Sequence, residues 1–158
     1  MLYLLKKVRE RLMEEEGFKE NWYLCKKGKK TIGHGLTELT DLEVRIVSFL
    51  RNTRSEFFML EPISEFESEV IVGYRVEKLE EALRRNSWYY NLDTSRKAVI
   101  LDMAYNMGLQ GLYKFENMIA ALNRKNYEQA TKEIVNSLYY TQLKNRADRN
   151  IKIMLNLE

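Results

Sequence analysis

Apolar residues at the start of the chain recur at helical intervals, with Leu2, Leu5, Val8 and Leu12 on one side and Lys6, Arg9, Glu10 and Glu14 on the other. The pattern predicts an amphipathic helix that stops near Gly17. From Phe18 to Leu36 the period shortens. Aromatic and β-branched residues alternate there with lysines and are broken by Gly28, Gly33 and Gly35, which predicts a short twisted hairpin or meander turning near Gly28. Helical spacing returns at "TDLEVRIVSFL", where Thr40 and Glu43 stand at the interval of a capping box. Ser64 and Glu67 repeat that interval after Pro62. The helix they open is predicted to reach Leu83, about twenty residues and about 30 Å at the helical rise, long enough to join two lobes.

Further on, "RKAVILDMAYNMG" is apolar on nearly every face. That marks a helix buried among other helices, with Gly108 placed to end it. "FENMIAAL", "YEQATKEIVNSL" and "LKNRADRNIKIMLNL" carry three further helical periods separated by short breaks. The fold expected is α+β and predominantly α-helical. Residues 1–158 form one domain, with a β-containing lobe at 14–63 and a helical lobe at 64–158 that also takes the N-terminal helix 1–13. Hydrophobic residues at 45% and charged residues at 31% suit a globular chain with a substantial interior, and no stretch reads as a repeat or a linker.

Charge alters this picture little. A net charge of +3 favours an anionic partner such as nucleic acid, acidic lipid or the acidic polymers of a bacterial wall. The lysines cluster in one turn without the interleaved aromatics of a nucleic-acid-binding sheet, so no nucleic-acid partner is expected. The apolar stretch in "MLYLLKKVRERLM" is too short for a signal-peptide core or a membrane span, so neither export by that route nor membrane insertion is expected. Cys25 is the sole cysteine and has no partner for an internal disulfide.

The densest chemistry lies in "EGFKENWYLCKKGKKTIGHG". Glu16 ends a run of three glutamates, which reads either as a solvated acidic helix end or as a positioned acid. Negative charge opposes the macrodipole at a helix C-terminus, so the run is locally unfavourable. Cys25 reads either as a small buried hydrophobe or as a thiolate. Lys26, Lys27, Lys29 and Lys30 would favour the thiolate if the sulfur is partly exposed beside them. Thr31 reads either as a strand former before Ile32 or as a functional hydroxyl. His34, the only histidine, has no second ligand at a recognisable spacing, so no metal is assigned and no cofactor is expected. The glycines of "TIGHG" fit neither nucleotide-phosphate signature.

Glu16, Cys25 and Thr31, separated by eight and then five residues, resemble the catalytic spacing of the phage-type lysozymes of glycoside hydrolase family 24, related to the endolysins of T-even bacteriophages. "AVILDMAYNMG" with "GLYKF" resembles that family's central helix and following turn, and "NSLYYTQLKNRADR" its late aromatic segment and Asn-Arg-Ala. The departures are Cys25 where aspartate is common, His34 inside the glycine turn, Leu36 where many members have histidine, and Tyr139 for a common tryptophan.

The resemblance implies a two-lobed lysozyme fold and a monomer that cleaves the β-1,4 bond from N-acetylmuramic acid to N-acetylglucosamine in peptidoglycan. Glu16 would be the acid, with Cys25 and Thr31 across the sugar, Arg146 paired to the glutamate, and Tyr105, Asn106 and Glu133 near the glycan. It implies synthesis in a host bacterium's cytoplasm and action at its wall. Direct attack by water and attack by the Cys25 sulfur both remain open, as do a lytic transglycosylase and a non-catalytic wall-binding module of a tail or secretion spike.

Overall fold

The computed structural model describes residues 2–26, 28–53 and 60–157. They divide into two compact units, Leu5–Val76 and Glu77–Glu158 with Met1–Leu4. Two helices, α1 (Leu2–Glu16) and α3 (Glu65–Leu83), have residues in both.

In the unit Leu5–Val76, α1 buries Val8 and Leu12, which lie one helical turn apart on its apolar stripe. It ends where Gly17, at φ 64°, returns its N–H to the Met13 carbonyl at 3.0 Å. Glycine adopts this left-handed closing conformation at little cost. An antiparallel sheet follows, ordered β1 (Lys19–Leu24), β2 (Lys30–Gly33), β3 (Leu36–Thr37). Its inward residues Ile32 and Leu36 are fully buried, each contributing about 1.5–3 kcal/mol of apolar burial. Leu36, one of the departures from the resemblance, is therefore a core residue here.

Both capping boxes form. Thr40 and Glu43 exchange hydrogen bonds at the start of α2 (Asp41–Leu50), and Ser64 and Glu67 do the same at the start of α3. Each capping glutamate also receives a two-bonded arginine from the other helix. Arg75 of α3 donates to Glu43 at 2.6 and 3.0 Å, and Arg51, the C-cap of α2, donates to Glu67 at 2.6 and 2.9 Å. The two helices are thus tied reciprocally, which fixes the first turns of α3 beneath the sheet's glycine turn.

The unit Glu77–Glu158 is helical. After the short α4 (Ser87–Tyr90) comes α5 (Thr94–Tyr113), interrupted at Gly108, whose φ of 74° breaks the helical backbone at the position expected to end the central helix. After α5 come α6 (Glu116–Asn123), α7 (Tyr127–Val135), α8 (Leu138–Gln142) and α9 (Lys144–Met154), with α6 packed on α7 and α9 packed on α5. Val99, Ile100, Leu101 and Met103 of α5 are buried, as the sequence pattern requires. The helix is less apolar than that pattern suggests, because Asp102 is only 1% exposed and lies at the centre of a charged cluster.

Candidate functional site

Glu16 is the last residue of α1 and is exposed, yet its carboxylate lies on the backbone of the glycine turn. A Cβ placed on Gly35 would sit 2.6 Å from Glu16 Oε2 and 3.1 Å from its Cδ. Gly35 has a φ of 69°, so the backbone conformation calls for glycine, and a Cβ there would have to push the end of the Glu16 side chain aside. Gly33, at φ 61°, meets the same demand on the opposite side, where an added Cβ would come within 2.9 Å of Ser68 Cβ. The "TIGHG" segment is therefore a spacer between the acid of α1 and the first turns of α3.

The sheet register brings the remaining residues together. Tyr23 pairs with Thr31, and Thr31 with Thr37, so these three form one row across the sheet and point to one face. Cys25 lies two residues beyond Tyr23, on that same face. It continues the hairpin by donating its N–H to the Lys29 carbonyl at 3.0 Å and accepting from Gly28 at 2.8 Å. Thr31 is buried at 1% exposure, and its hydroxyl donates to the Lys29 carbonyl at 2.9 Å. With its hydrogen so committed, the Thr31 oxygen keeps lone pairs that can accept a hydrogen bond.

Cys25 is a half-buried thiol outside any disulfide, which meets the exposure condition for a reactive sulfur. Its lysine field is partly committed elsewhere. Lys29 Nζ pairs with Glu38 at 2.6 Å, and Lys30 Nζ sits 5.0 Å from the centre of the Trp22 ring; Lys27 lies outside the described residues. Lys29 is nonetheless held protonated above its ordinary range, chiefly by the Glu38 bond and in smaller part by the Cys25 charge. Tyr23 gave no signal in the sequence beyond that of a strand aromatic. Its phenol is pushed above its ordinary range by partial burial and then by the negative charges of Glu16 and Cys25, so it senses both. It stays protonated and can donate a hydrogen bond on the face that carries Thr31.

His34 is buried at 3% exposure against Phe18, with ring centres 5.1 Å apart. Burial pushes its imidazole below the ordinary histidine range, against the pull of Glu65 and Glu69.

In the helical unit, Arg146 is buried and grips Asp102 with two nitrogens, Nε at 3.0 and 3.2 Å and Nη2 at 2.9 Å. Asn150 donates to the same carboxylate at 2.7 Å and to the Tyr139 hydroxyl at 3.0 Å. Tyr139, at the family's tryptophan position, thus joins a buried polar cluster that the apolar periodicity of α5 concealed. Tyr105 and Asn106 are half-buried on α5 just before its break, and half-buried Glu133 of α7 accepts from Gln129 at 2.8 Å. Among the described residues no group of three or more His, Cys, Asp or Glu side chains could hold a metal ion. No helix among them is long and apolar enough to cross a membrane.

A small three-stranded antiparallel sheet, set among helices and followed by an all-helical unit, defines an α+β protein of the lysozyme-like class. The chain belongs to the phage lysozyme family, whose model, described as "Phage lysozyme", matches residues 13–148. It is 27% identical over 161 residues to "Probable T4-type lysozyme 1" of Dictyostelium discoideum, covering 96% of this chain and 95% of that protein. It is likewise 27% identical over 162 residues to "Probable T4-type lysozyme 2" of the same organism, covering 95% and 94%. A shorter match, 39% over 69 residues, links 42% of the chain to 12% of the "Pre-baseplate central spike protein Gp5" of Enterobacteria phage T4.

Proposed function

We propose that the protein is a peptidoglycan-degrading muramidase that hydrolyses the β-1,4 bond between N-acetylmuramic acid and N-acetylglucosamine. The observation that carries this reading is the packing of the Glu16 carboxylate on Gly35, in the turn that directly follows Thr31, with Thr31 and Cys25 on one hairpin face. Glycosidic cleavage needs a proton donor at the leaving oxygen and a second group at the anomeric carbon. Glu16 supplies the first. A water accepted by the Thr31 oxygen would turn its own lone pair toward the sugar, and the Cys25 thiolate would take up the proton released as the new C–O bond forms.

If the sulfur attacks instead, a thioglycosyl intermediate forms and the released sugar retains its configuration. Direct attack by water inverts it. Arg146 would orient Glu16, while Tyr105, Asn106 and Glu133 would contact the glycan; these roles are carried by the family resemblance. The protein would act as a monomer on wall glycan strands, in lysis of a bacterium by a phage or prophage.

The test is turbidity loss of cells stripped of their outer membrane, combined with product analysis. Wild type is expected to clear the suspension and release new reducing ends, and Glu16→Gln to do neither. Anhydro-muramic ends would instead make the protein a lytic transglycosylase. Tight binding to purified sacculi without sugar release would make it a wall-binding module.

A further inference from the structure

His34 and Ser68 are the buried polar pair that the reaction leaves unused. The His34 backbone N–H donates to Ser68 Oγ at 2.8 Å, and the same oxygen lies 2.9 Å from His34 Nδ1. The other ring nitrogen, Nε2, is 3.9 Å from Glu65 Oε1. Serine, histidine and glutamate in this order resemble a nucleophile with its base and orienting acid, but Ser68 is 0% exposed and no substrate can reach it.

Hydrogen-bond accounting gives the pair a different role. Ser68 Oγ accepts one hydrogen from the His34 backbone, and both of its contacts are with His34. Among the described residues Nδ1 is the acceptor that its own hydrogen can reach, and the tautomer that satisfies it carries the ring proton on Nε2, toward Glu65. A proton added at Nδ1 would confront the Ser68 hydroxyl hydrogen and strand it in the interior.

We propose that Ser68 and His34 are positioning residues for the reaction, forming a clamp that holds residues 33–35 to α3 and so holds Gly35 beneath the Glu16 carboxylate, and that the clamp closes only while His34 is neutral. The acidic groups facing the ring are Glu65 and Glu69 of α3, with Glu16 of α1 on the adjoining Gly35. The close approach of Gly33 to Ser68 leaves no slack in the clamp. The folded state depresses the imidazole, so the clamp's contribution is complete above the ordinary histidine value of 6.5 and is lost as pH falls through the lowered one. The effect on lysis rests on the muramidase reading; the clamp itself does not.

The sole histidine gives one imidazole signal set, so nitrogen and carbon NMR titration of the intact wild type tests the clamp without any assay of lysis. The expected result is the Nε2–H tautomer near neutrality, a midpoint below 6.5, and an inflection of the Glu16 carboxyl carbon at that midpoint. An Nδ1–H tautomer, an ordinary midpoint or an unresponsive Glu16 would each overturn the clamp. Lysis supplies the second readout. Ser68→Ala is expected to lose about tenfold in maximal rate at an unaltered half-saturating cell density. His34→Asn keeps an acceptor for Ser68 but cannot titrate, and its lytic rate relative to wild type is expected to rise about threefold or more from about pH 8 to about pH 5. A ratio that stays flat would refute the proposal, whereas absence of lysis in the wild type would refute the muramidase reading alone.

Discussion

Replacing Gly35 by alanine tests the seat of the proposed acid most directly. The new Cβ would lie 2.6 Å from Glu16 Oε2, against ordinary contact at 3.4 Å or more, so the carboxylate must retreat by about 0.8 Å. The positive φ of 69° adds backbone strain of about 1–2 kcal/mol. Gly17→Ala is the matched control, because Gly17 has a φ of 64° and open space where its Cβ would go. Both variants are therefore expected to lose about 1–2 kcal/mol, or about 2–8 °C in melting temperature. They should part in catalysis. A displacement approaching 1 Å of a reacting group costs about 100-fold in rate, so Gly35→Ala is expected to lyse about 100-fold more slowly than Gly17→Ala when both are assayed well below their melting points. Equal lytic rates in the two folded variants would refute the claim that this turn seats the acid.

Alkylation of Cys25 is expected to abolish lysis by the wild type, while Cys25→Asp retains lysis and resists the reagent; full activity in folded Cys25→Ala would remove the sulfur from the mechanism. Asp102→Leu removes the carboxylate that Arg146 grips with two nitrogens and that Asn150 also bonds, and is expected to cost about 1–3 kcal/mol or more in denaturant titration, a loss under about 1 kcal/mol ruling out the cluster as a source of stability. Burial pushes the Glu43 carboxyl up, but Arg75 and the Thr40 cap together hold it below its ordinary value of 4.5. Its contribution is therefore present above 4.5 and is lost as pH falls through the lowered value. Glu43→Gln is expected to be less stable than wild type by about 1–3 kcal/mol near neutrality, with the gap closing in acid; a gap independent of pH would contradict the assignment.

The features legible in the chain were those set by neighbours within a turn or two. The stripe of α1, the glycine that closes it, the hairpin, both capping boxes and the break at Gly108 all follow from local spacing, and all are present. Periodicity could not show what lies across from each residue. Asp102 sits in a helix that reads as apolar because its neutralising arginine comes 44 residues later in the chain. Arg75 and Arg51 look like surface charges until α2 and α3 pack side by side, and the lysines near Cys25 look like one positive field until Lys29 pairs with Glu38 and Lys30 stacks on Trp22. The two α8 and α4 helices, of five and four residues, are too short to show a period at all.

The glycine turn shows most sharply why the site was only half visible. Its spacing after Cys25 identified the segment, and positive φ explains in general why a turn would use glycine. Neither explains why two glycines flank one histidine. The structure supplies the reason as two excluded volumes. Gly33 makes room for Ser68, 35 residues later, and Gly35 makes room for Glu16, 19 residues earlier. Between them His34 fills the interior and bonds back to Ser68, so one three-residue turn links α3 to the end of α1. A substitution at any of these positions is therefore expected to reach the Glu16 carboxylate through Gly35, because the turn is closely packed on both sides.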